Sequence, residues 1–109
     1  MDKSILTEKL YDHCLGSGDP TLDLVSSGIV STKWVENYLL LLSEASSTWS
    51  EESLVPRKVV AAVHYASFYL NIRYDIWCQN SGCTNRETEK LIGSLRTPSE
   101  IFILNVQNA

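Results

Sequence analysis

The stretch of sequence that decides the fold is PRKVVAAVHYASFYLNIRYDIWCQ, residues 56–79. Its apolar residues recur at the three- and four-residue spacing of one face of an α-helix. One stripe is formed by Val59, Val63, Ala66, Leu70 and Trp77, and we expect it to be widened by Val60, Tyr69, Ile72 and Ile76. Pro56 suits the first turn of a helix, and no further proline or glycine interrupts the stretch. We predict one long central helix, apolar around most of its girth, on which the rest of the chain packs.

Two helices are predicted near the start of the chain. The first runs from Ser4 to about Leu15, and the glycine-rich residues 16–18 end it. The second is short and begins at Asp19-Pro20, where the aspartate is a cap and the proline is the first helical residue. It ends near Gly28, a residue type that is common just past the end of a helix.

A third helix is predicted from about Ser31 or Thr32. It contains the run YLLLL, residues 38–42, which is apolar on every side and therefore favours burial or contact with two neighbouring helices. Residues 46–53, SSTWSEES, have the composition of a loop that separates this helix from the central one.

The chain after the central helix carries two capping signals. Thr84 followed three residues later by Glu87 is typical of a capping box, and Thr97-Pro98-Ser99-Glu100 repeats it with a proline at the first helical position. The cap favours a last helix over an extended segment for residues 98–109. The sequence therefore predicts an all-α, compact bundle of about five to six helices around a long central helix, with residues 1–109 as a single domain.

The composition excludes several classes of function. The chain of 109 residues has 44% hydrophobic and 20% charged residues and a net charge of −4. Residues 1–55 hold nine carboxylates against three lysines, whereas residues 56–109 hold four carboxylates against six basic residues. An acidic chain without a basic run is a poor ligand for nucleic acid or an anionic membrane. Its acidic half is suited to attract a protein with a basic surface, although a merely solvated surface has the same pattern.

No targeting segment is recognisable in the sequence. The start, MDKSILTEK, is charged and lacks the apolar stretch of a signal peptide, and no apolar run approaches the roughly 20 residues that span a bilayer. We therefore expect a cytoplasmic protein. Its three cysteines, Cys14, Cys78 and Cys83, are then free thiols, of which Cys78 and Cys83 are close enough in sequence to pair under oxidation.

One polar stripe on the central helix resembles a catalytic constellation. It consists of His64, Ser67, Asn71, Asp75 and Cys78. Ser67 as nucleophile with His64 as its base is the enzymatic interpretation, but side chains stacked along one helix point in parallel and do not converge on a reacting atom. A hydrogen-bonded seam against neighbouring helices is the preferred interpretation, followed by a stripe that faces a partner. We expect no catalytic residues.

Metal and cofactor sites are not expected either. The histidines and cysteines lack the paired spacing of zinc sites, and Gly16-Ser17-Gly18 lacks the lysine of a phosphate-binding loop. Arg73, Tyr74, Asp75 and Trp77 are residue types that anchor protein interfaces. The alternative is that the aromatic ones belong to the core and that Arg73 pairs with a nearby carboxylate.

The second half of the chain resembles a known class of proteins. The residues that carry the resemblance are Trp49, Val55-Pro56-Arg57, the stretch HYASFYL of residues 64–70, RYDIW of residues 73–77, and RTPSE of residues 96–100. This arrangement is similar to small helical immunity proteins encoded beside bacterial polymorphic toxins, including those of contact-dependent growth inhibition. The resemblance implies a non-catalytic inhibitor that binds its cognate toxin, a class that includes many nucleases, and blocks its active or substrate-binding site.

The partner-binding residues that we predict are acidic residues and two tryptophans of the first half. They are Asp19, Asp23, Glu36, Glu44, Trp34, Trp49, Glu51 and Glu52. The carboxylates steer a basic toxin surface toward the protein, and the indoles anchor it. The alternative function is a small helical adaptor or self-associating module without a toxin, in which Trp34, Trp49 and the run of residues 39–42 form a homodimer surface. The protein is accordingly a monomer or a homodimer.

Overall fold

The computed structural model describes residues 2–50 and 54–108, and the side chains as far as residue 105. Over these residues the chain forms five helices and no strand, which confirms the predicted all-α bundle. The helices are α1 (Lys3–Leu15), α2 (Thr21–Ser27), α3 (Thr32–Thr48), a continuous central helix made of α4 (Arg57–His64), a π turn (Tyr65–Tyr69) and α5 (Leu70–Ser81), and finally α6 (Arg86–Asn108).

The central helix organises the packing of the others. Helix α1 packs on α4 and α3, α2 packs on α5, and α6 packs on α3 and on the π turn. Four of the five residues of the predicted apolar stripe, Val59, Val63, Ala66 and Leu70, are fully buried in the core. The predicted widening of that stripe is wrong, because Val60, Tyr69, Ile72 and Ile76 are 36% to 41% exposed.

Side-chain caps define the starts of α1 and α3. The Asp2 carboxylate accepts the backbone N–H of Ser4 at 2.7 Å, and the Ser31 hydroxyl accepts that of Trp34 at 3.2 Å. The predicted start of α2 is wrong by one residue, because the N-cap position is taken by Pro20, which has no capping side chain, while Asp19 accepts the N–H of Thr21 at 2.9 Å from just before the helix. These are local hydrogen bonds, and therefore the sequence predicts these helix starts well.

The start of α6 differs from the predicted capping box. The cap is Asn85, whose side-chain oxygen accepts the N–H of Thr88 at 3.2 Å, and Thr84 lies outside the helix. The buried Tyr74 hydroxyl accepts the N–H of Asn85 at 2.7 Å. This contact from the central helix holds Asn85, the residue that caps α6. The residues around Asn85 in the sequence do not indicate this contact.

The predicted break at Pro98 is also wrong, because α6 continues through it to Asn108. Burial on one face of α6 continues across the proline with helical spacing, at Thr88, Ile92, Leu95, Ser99 and Phe102. Arg96 and Glu100 form an ion pair of 3.1 Å that spans the same turn. A proline inside a helix costs roughly 3 kcal/mol, and the burial of this face offsets that cost. Residues 98–108 are accordingly helical, as favoured above, but they form no separate helix.

The segment predicted to be a loop is shorter than expected. Helix α3 extends to Thr48, three residues into the predicted loop of residues 46–53, and Trp49 follows it as a buried residue. Residues 51–53 lie outside the described residues. The run of residues 38–42 is not uniformly buried, since Tyr38 and Leu42 belong to the core while Leu40 is 66% exposed.

Gly28 joins α2 to both α5 and α6. Its φ of +69° is in the left-handed region that favours glycine, and a Cβ built on it would lie 2.5 Å from the Trp77 indole. Its carbonyl oxygen accepts the buried Thr88 hydroxyl at 2.7 Å. Gly28 therefore meets two separate demands, one from its own backbone and one from the close approach of Trp77.

Replacing Gly28 with alanine tests these two demands against a matched control. Gly82 has nearly the same φ, +71°, but nothing within 4 Å of a built Cβ. We expect Gly82→Ala to lower the free energy of unfolding by about 1 kcal/mol, the cost of a side chain in the left-handed region. Gly28→Ala adds a clash with the indole, an overpacking cost of about 1–3 kcal/mol more. Urea unfolding followed by circular dichroism measures both, and equal losses would contradict the Trp77 contact.

Candidate functional site

The π turn gathers four aromatic side chains on the central helix. A π turn closes its hydrogen bond over five residues, here from the Leu70 N–H to the Tyr65 carbonyl oxygen. The His64 ring lies 5.6 Å from the Phe68 ring and 5.6 Å from the Tyr69 ring, measured between centroids. Phe68 and Tyr69 meet edge to face at 5.6 Å, and Tyr65 stacks on Tyr69 at 6.3 Å. Single π turns inside α-helices occur frequently at functional sites.

An exposed apolar ridge runs from this aromatic group along the central helix. Phe68, Ile72 and Ile76 follow each other at four-residue intervals and are 53%, 36% and 36% exposed. Tyr69 stands beside them, 41% exposed. We call these four residues the apolar ridge. Sequence periodicity missed it because residues on the exposed side of an almost wholly apolar helix have the same spacing as those on its buried side.

A cleft of about 430 Å³ opens beside the π turn, and we call it the π cleft. Its walls come from α1, the α1–α2 connection, α2 and the central helix, and its lining residues are Leu15, Asp19, Thr21, Ala61, His64, Tyr65, Tyr69 and Arg73. Aromatic and aliphatic surface thus surrounds one carboxylate and one guanidinium. This combination of apolar walls with few polar groups is typical of binding sites.

The Asp19 carboxylate at the π cleft is held by its neighbours. Its Oδ1 accepts the Tyr65 hydroxyl at 2.6 Å, the Thr21 N–H at 2.9 Å and the Thr21 hydroxyl at 2.5 Å. The Thr21 hydroxyl also contacts that of Tyr65. Burial and the bond to Asp19 both raise the pKa of Tyr65, so the phenol stays protonated and continues to donate. Asp19 is thus a rigid acceptor whose Oδ1 is already in use.

Arg73 is in the opposite situation. The residue is half-buried, its Nε is buried, and this nitrogen has no hydrogen-bond partner among the described residues. Within residues 2–50 and 54–108 the guanidinium also forms no ion pair, so the local pairing with a carboxylate that the sequence suggested as an alternative is absent there. Tyr74, by contrast, is a core residue, and Trp77 is half-buried against Gly28.

The polar stripe of the central helix lines a second cleft, of about 390 Å³, against α6. His64, Ser67, Asn71 and Asp75 form one wall, and Arg96, Glu100 and Ile103 belong to the other. The predicted hydrogen-bonded seam is wrong for the described residues, because the one bond of these four side chains stays on the central helix. The Ser67 hydroxyl donates to the His64 carbonyl oxygen at 3.1 Å, and so this serine is not hydrogen-bonded to the His64 ring.

Two of the predicted partner-binding residues belong to the core. Trp34 is 8% exposed, and its indole N–H donates to the carbonyl oxygens of His13 and Gly18 at 3.0 and 2.8 Å. Trp49 is 4% exposed. The prediction that these indoles anchor a partner is therefore wrong in this structure, and so is the homodimer surface built on them. Both fill space between helices, where a large apolar side chain contributes most to stability.

The predicted acidic residues do not form one surface with the π cleft. Asp19 lies in the cleft, Asp23 is exposed on α2, and Glu36 and Glu44 are exposed on α3. Helix α2 packs on α5, whereas α3 packs on α1 and α6. Glu51 and Glu52 lie outside the described residues. The acidic side chains are thus distributed over at least two faces, which suits long-range attraction better than a single contact.

The remaining candidate groups are isolated. The thiols of Cys14, Cys78 and Cys83 are free, and burial raises the pKa of Cys14. In the part of the chain that the structure describes, no three histidine, cysteine, aspartate or glutamate side chains come together in a way that could hold a metal ion. No helix in that part combines the length and the apolar content needed to cross a bilayer.

No protein-family model, no curated protein and no solved structure matches this chain. The resemblance to immunity proteins therefore rests on the sequence elements quoted above. The structural features available for a functional argument are the apolar ridge, the π cleft with Asp19 and Arg73, and the distribution of charge.

Replacing Tyr65 with phenylalanine tests whether the π cleft is held together by its hydroxyl. The substitution removes a donor to a carboxylate, and we expect the free energy of unfolding to fall by about 1–2 kcal/mol. Tyr69→Phe is the matched control, because the Tyr69 hydroxyl has no hydrogen bond to any described residue. It should change stability by less than about 0.5 kcal/mol. Urea unfolding of both variants distinguishes these outcomes, and similar losses would mean that the Tyr65 bond has no special role.

The same phenol makes stability depend on alkaline pH. The pKa of Tyr65 is raised in the folded state, so above about pH 10 the unfolded chain loses this proton first and unfolding becomes easier. The pKa values of Tyr38 and Tyr74 are raised as well, that of Tyr74 to about 12. We expect the urea midpoint to fall between pH 9 and pH 11, and to fall less steeply, but still measurably, in Tyr65→Phe. An unchanged slope in that variant would contradict the assignment.

Proposed function

We propose that the protein is a non-catalytic inhibitor that binds another protein, and specifically a cytoplasmic immunity protein that neutralises a cognate bacterial toxin. The apolar ridge is the observation that carries this proposal. It presents Phe68, Tyr69, Ile72 and Ile76 to solvent on the central helix of the fold. Exposing a contiguous apolar surface of this kind to water costs free energy, and this free energy is recovered when a partner covers the surface.

The composition of the surface around the ridge supports a protein partner. Aromatic residues and arginine are enriched at the energetic centres of protein interfaces, and Phe68, Tyr69 and Arg73 all lie within two helical turns. The His64 ring braces Phe68 and Tyr69 by direct contact, so these side chains lose little freedom on binding. A partner's apolar residues therefore meet a surface that is already arranged.

The charge distribution supports a basic partner. Asp23, Glu36 and Glu44 are exposed, and residues 1–55 carry an excess of six carboxylates over lysines in a chain of net charge −4. Such a field attracts a positively charged surface over about a Debye length and raises the association rate. Nuclease toxins need a positive cleft for their substrate. A nuclease is accordingly the class of toxin that we favour, with inhibition by obstruction of that cleft.

The geometry at His64 supports a binder rather than an enzyme. A serine nucleophile needs a hydrogen bond from its hydroxyl to a base, and the Ser67 hydroxyl is instead bonded to the main chain. The His64 ring is in contact with Phe68 and Tyr69, where it contributes to the aromatic group.

Co-expression with the product of the adjacent gene tests the proposal. We expect that product to arrest growth when expressed alone, and the present protein to restore growth and to form a stable complex with it. The proposal fails if the neighbouring product is harmless, or if it remains toxic while this protein is abundant and folded.

Single substitutions locate the interface within the same experiment. Phe68→Asp places a charge on the ridge, and we expect it to weaken the complex by at least about 30-fold, as for a central interface residue. Leu40→Asp is the matched control, because Leu40 is 66% exposed on α3, away from the ridge. Isothermal titration calorimetry measures both affinities, and circular dichroism verifies that both variants are folded. Equal affinities for the two variants would exclude the ridge as the interface.

A self-associating adaptor is the second candidate function, and the ridge also favours it, since two copies could cover each other's apolar residues. Light scattering over a range of concentrations separates the two. A dimer that Phe68→Asp dissociates and Leu40→Asp does not, together with a harmless neighbouring gene product, supports the adaptor. A monomer at all concentrations excludes it.

A further inference from the structure

Among the side chains that the structure describes, the half-buried guanidinium of Arg73 holds the one buried nitrogen without a hydrogen-bond partner. Arginine remains charged at every physiological pH and carries five N–H donors. The Nε of Arg73 is buried and has no acceptor among residues 2–50 and 54–108. Unpaired buried donors cost free energy, and they are rare in folded proteins unless a ligand or water completes them.

Other cations of the same protein show the contrast. Lys58 pairs with Glu8 at 2.9 Å and lies 5.1 Å above the Tyr11 ring, and Arg96 pairs with Glu100 at 3.1 Å. Both of these ion pairs are on the surface, where pairing contributes little. Arg73 is more enclosed than either and yet has no carboxylate. The group that needs an acceptor most is therefore one that the described chain leaves without one.

The π cleft has the size and the walls to admit that acceptor. Its volume is about 430 Å³, which is more than one side chain fills. The rings of His64, Tyr65 and Tyr69 line the cleft together with Arg73, so a group that enters it exchanges part of its water for these side chains. An acceptor in such surroundings binds an arginine more strongly than it would in bulk solvent.

The chemistry of the cleft selects a planar monoanion. Asp19 has its Oδ1 fully used by Tyr65 and Thr21, and it contributes a negative charge to the same cleft. A phosphate carries up to two charges and would be repelled more strongly by Asp19 than a carboxylate. The two oxygens of a carboxylate match the paired N–H groups along one edge of a guanidinium.

We propose that the π cleft is a carboxylate-binding site, and that Arg73 receives there an aspartate or glutamate side chain of the partner protein. The identity of this occupant rests on the proposed function, because the apolar ridge adjoins the cleft through Tyr69 and a partner on the ridge lies next to its mouth. The partner's carboxylate accepts hydrogen bonds from the Arg73 guanidinium. The aliphatic part of the same partner side chain packs against Tyr65 and Tyr69. Arg73 thereby determines which partners fit, since a neutral side chain leaves the guanidinium unpaired.

The site can be tested without any partner, with 3-phenylpropionate as the probe. Its carboxylate matches Arg73, and its ring matches the walls of the cleft. In ¹H–¹⁵N NMR spectra we expect saturable shifts of the Arg73 Nε–H signal and of the backbone amides of Asp19 and Tyr69. Arg73→Gln should weaken the binding at least about tenfold, which corresponds to the loss of a charged hydrogen-bonded pair.

Two further variants serve as controls. Arg57→Gln removes an exposed positive charge at the start of α4 and should bind the probe like the wild type. Arg73→Lys retains the charge without the planar edge and should bind with intermediate affinity. If Arg73→Gln fails to fold, Arg73→Lys and the Nε–H shift in the wild type still decide the question. Equal binding by wild type and Arg73→Lys, without a shift of the Arg73 Nε–H, overturns the proposal.

Two other probes test whether the cleft binds a ligand of different chemistry. Tighter binding of inorganic phosphate than of 3-phenylpropionate would assign the cleft to phosphate and overturn the carboxylate. Preferential binding of phenethylammonium, with shifts confined to Asp19, would make the cleft a cation site and overturn it as well. No saturable binding of any carboxylate would do the same.

The outcome of this titration is separable from that of the co-expression experiment. Probe binding that depends on Arg73, combined with a harmless neighbouring gene product, refutes the immunity function and leaves the carboxylate site. A toxin complex whose affinity is the same for wild type and Arg73→Gln, combined with no probe binding, refutes the carboxylate site and leaves the immunity function.

Discussion

The polar ends of two stacked aromatic residues on α3 are the constraint on which much of the fold depends. The rings of Trp34 and Tyr38 are nearly parallel, with centroids 5.8 Å apart, and the His13 ring also stacks on Trp34, with centroids 4.6 Å apart. The Trp34 indole N–H donates to two carbonyl oxygens, one at the end of α1 and one in the turn after it. The His13 Nε2 lies 2.9 Å from the Trp34 carbonyl oxygen. The fully buried Tyr38 hydroxyl hydrogen-bonds to the Ser99 hydroxyl at 2.7 Å. Because a buried donor without an acceptor is costly, these bonds determine where α1 and α6 lie relative to α3.

The same constraint explains the course of α6 and, through it, the exposure of the ridge. Ser99 follows Pro98 directly, and its bond to Tyr38 holds the chain after the proline in helical register with the chain before it. Helix α6 therefore packs on the π turn and on α4. Helix α1 packs on α4, and α2, which has only seven residues, packs on α5. Between them and α6 remains the strip that exposes Phe68, Ile72 and Ile76.

The π turn links this architecture to the proposed binding surface. One wider turn brings the His64 ring against both Phe68 and Tyr69, and it lies where the central helix changes its partner from α1 to α2. The π cleft opens at this change of partner, because α1 and α2 leave a gap between them over the central helix. Asp19 in the α1–α2 connection and Arg73 on α5 both line this gap. The charged groups of the cleft thus come from distant parts of the chain, and so their proximity has no signal in the sequence.

Sequence alone determined the all-helical class, the central helix and most helix starts, because caps and apolar periodicity act within a few residues of each other. It also indicated that Arg73, Tyr74, Asp75 and Trp77 are types of residue that anchor interfaces, of which Tyr74 belongs to the core. The tertiary structure decided the rest. Local rules stop a helix at Pro98, but the buried face that continues to Phe102 outweighs them. Tryptophan is a residue type that often anchors interfaces, but in this fold Trp34 and Trp49 are buried in the core. A helix that is apolar on nearly every side does not encode which side stays in water. That choice depends on the number, length and placement of the helices packed around it, and here it leaves Phe68, Tyr69, Ile72 and Ile76 exposed.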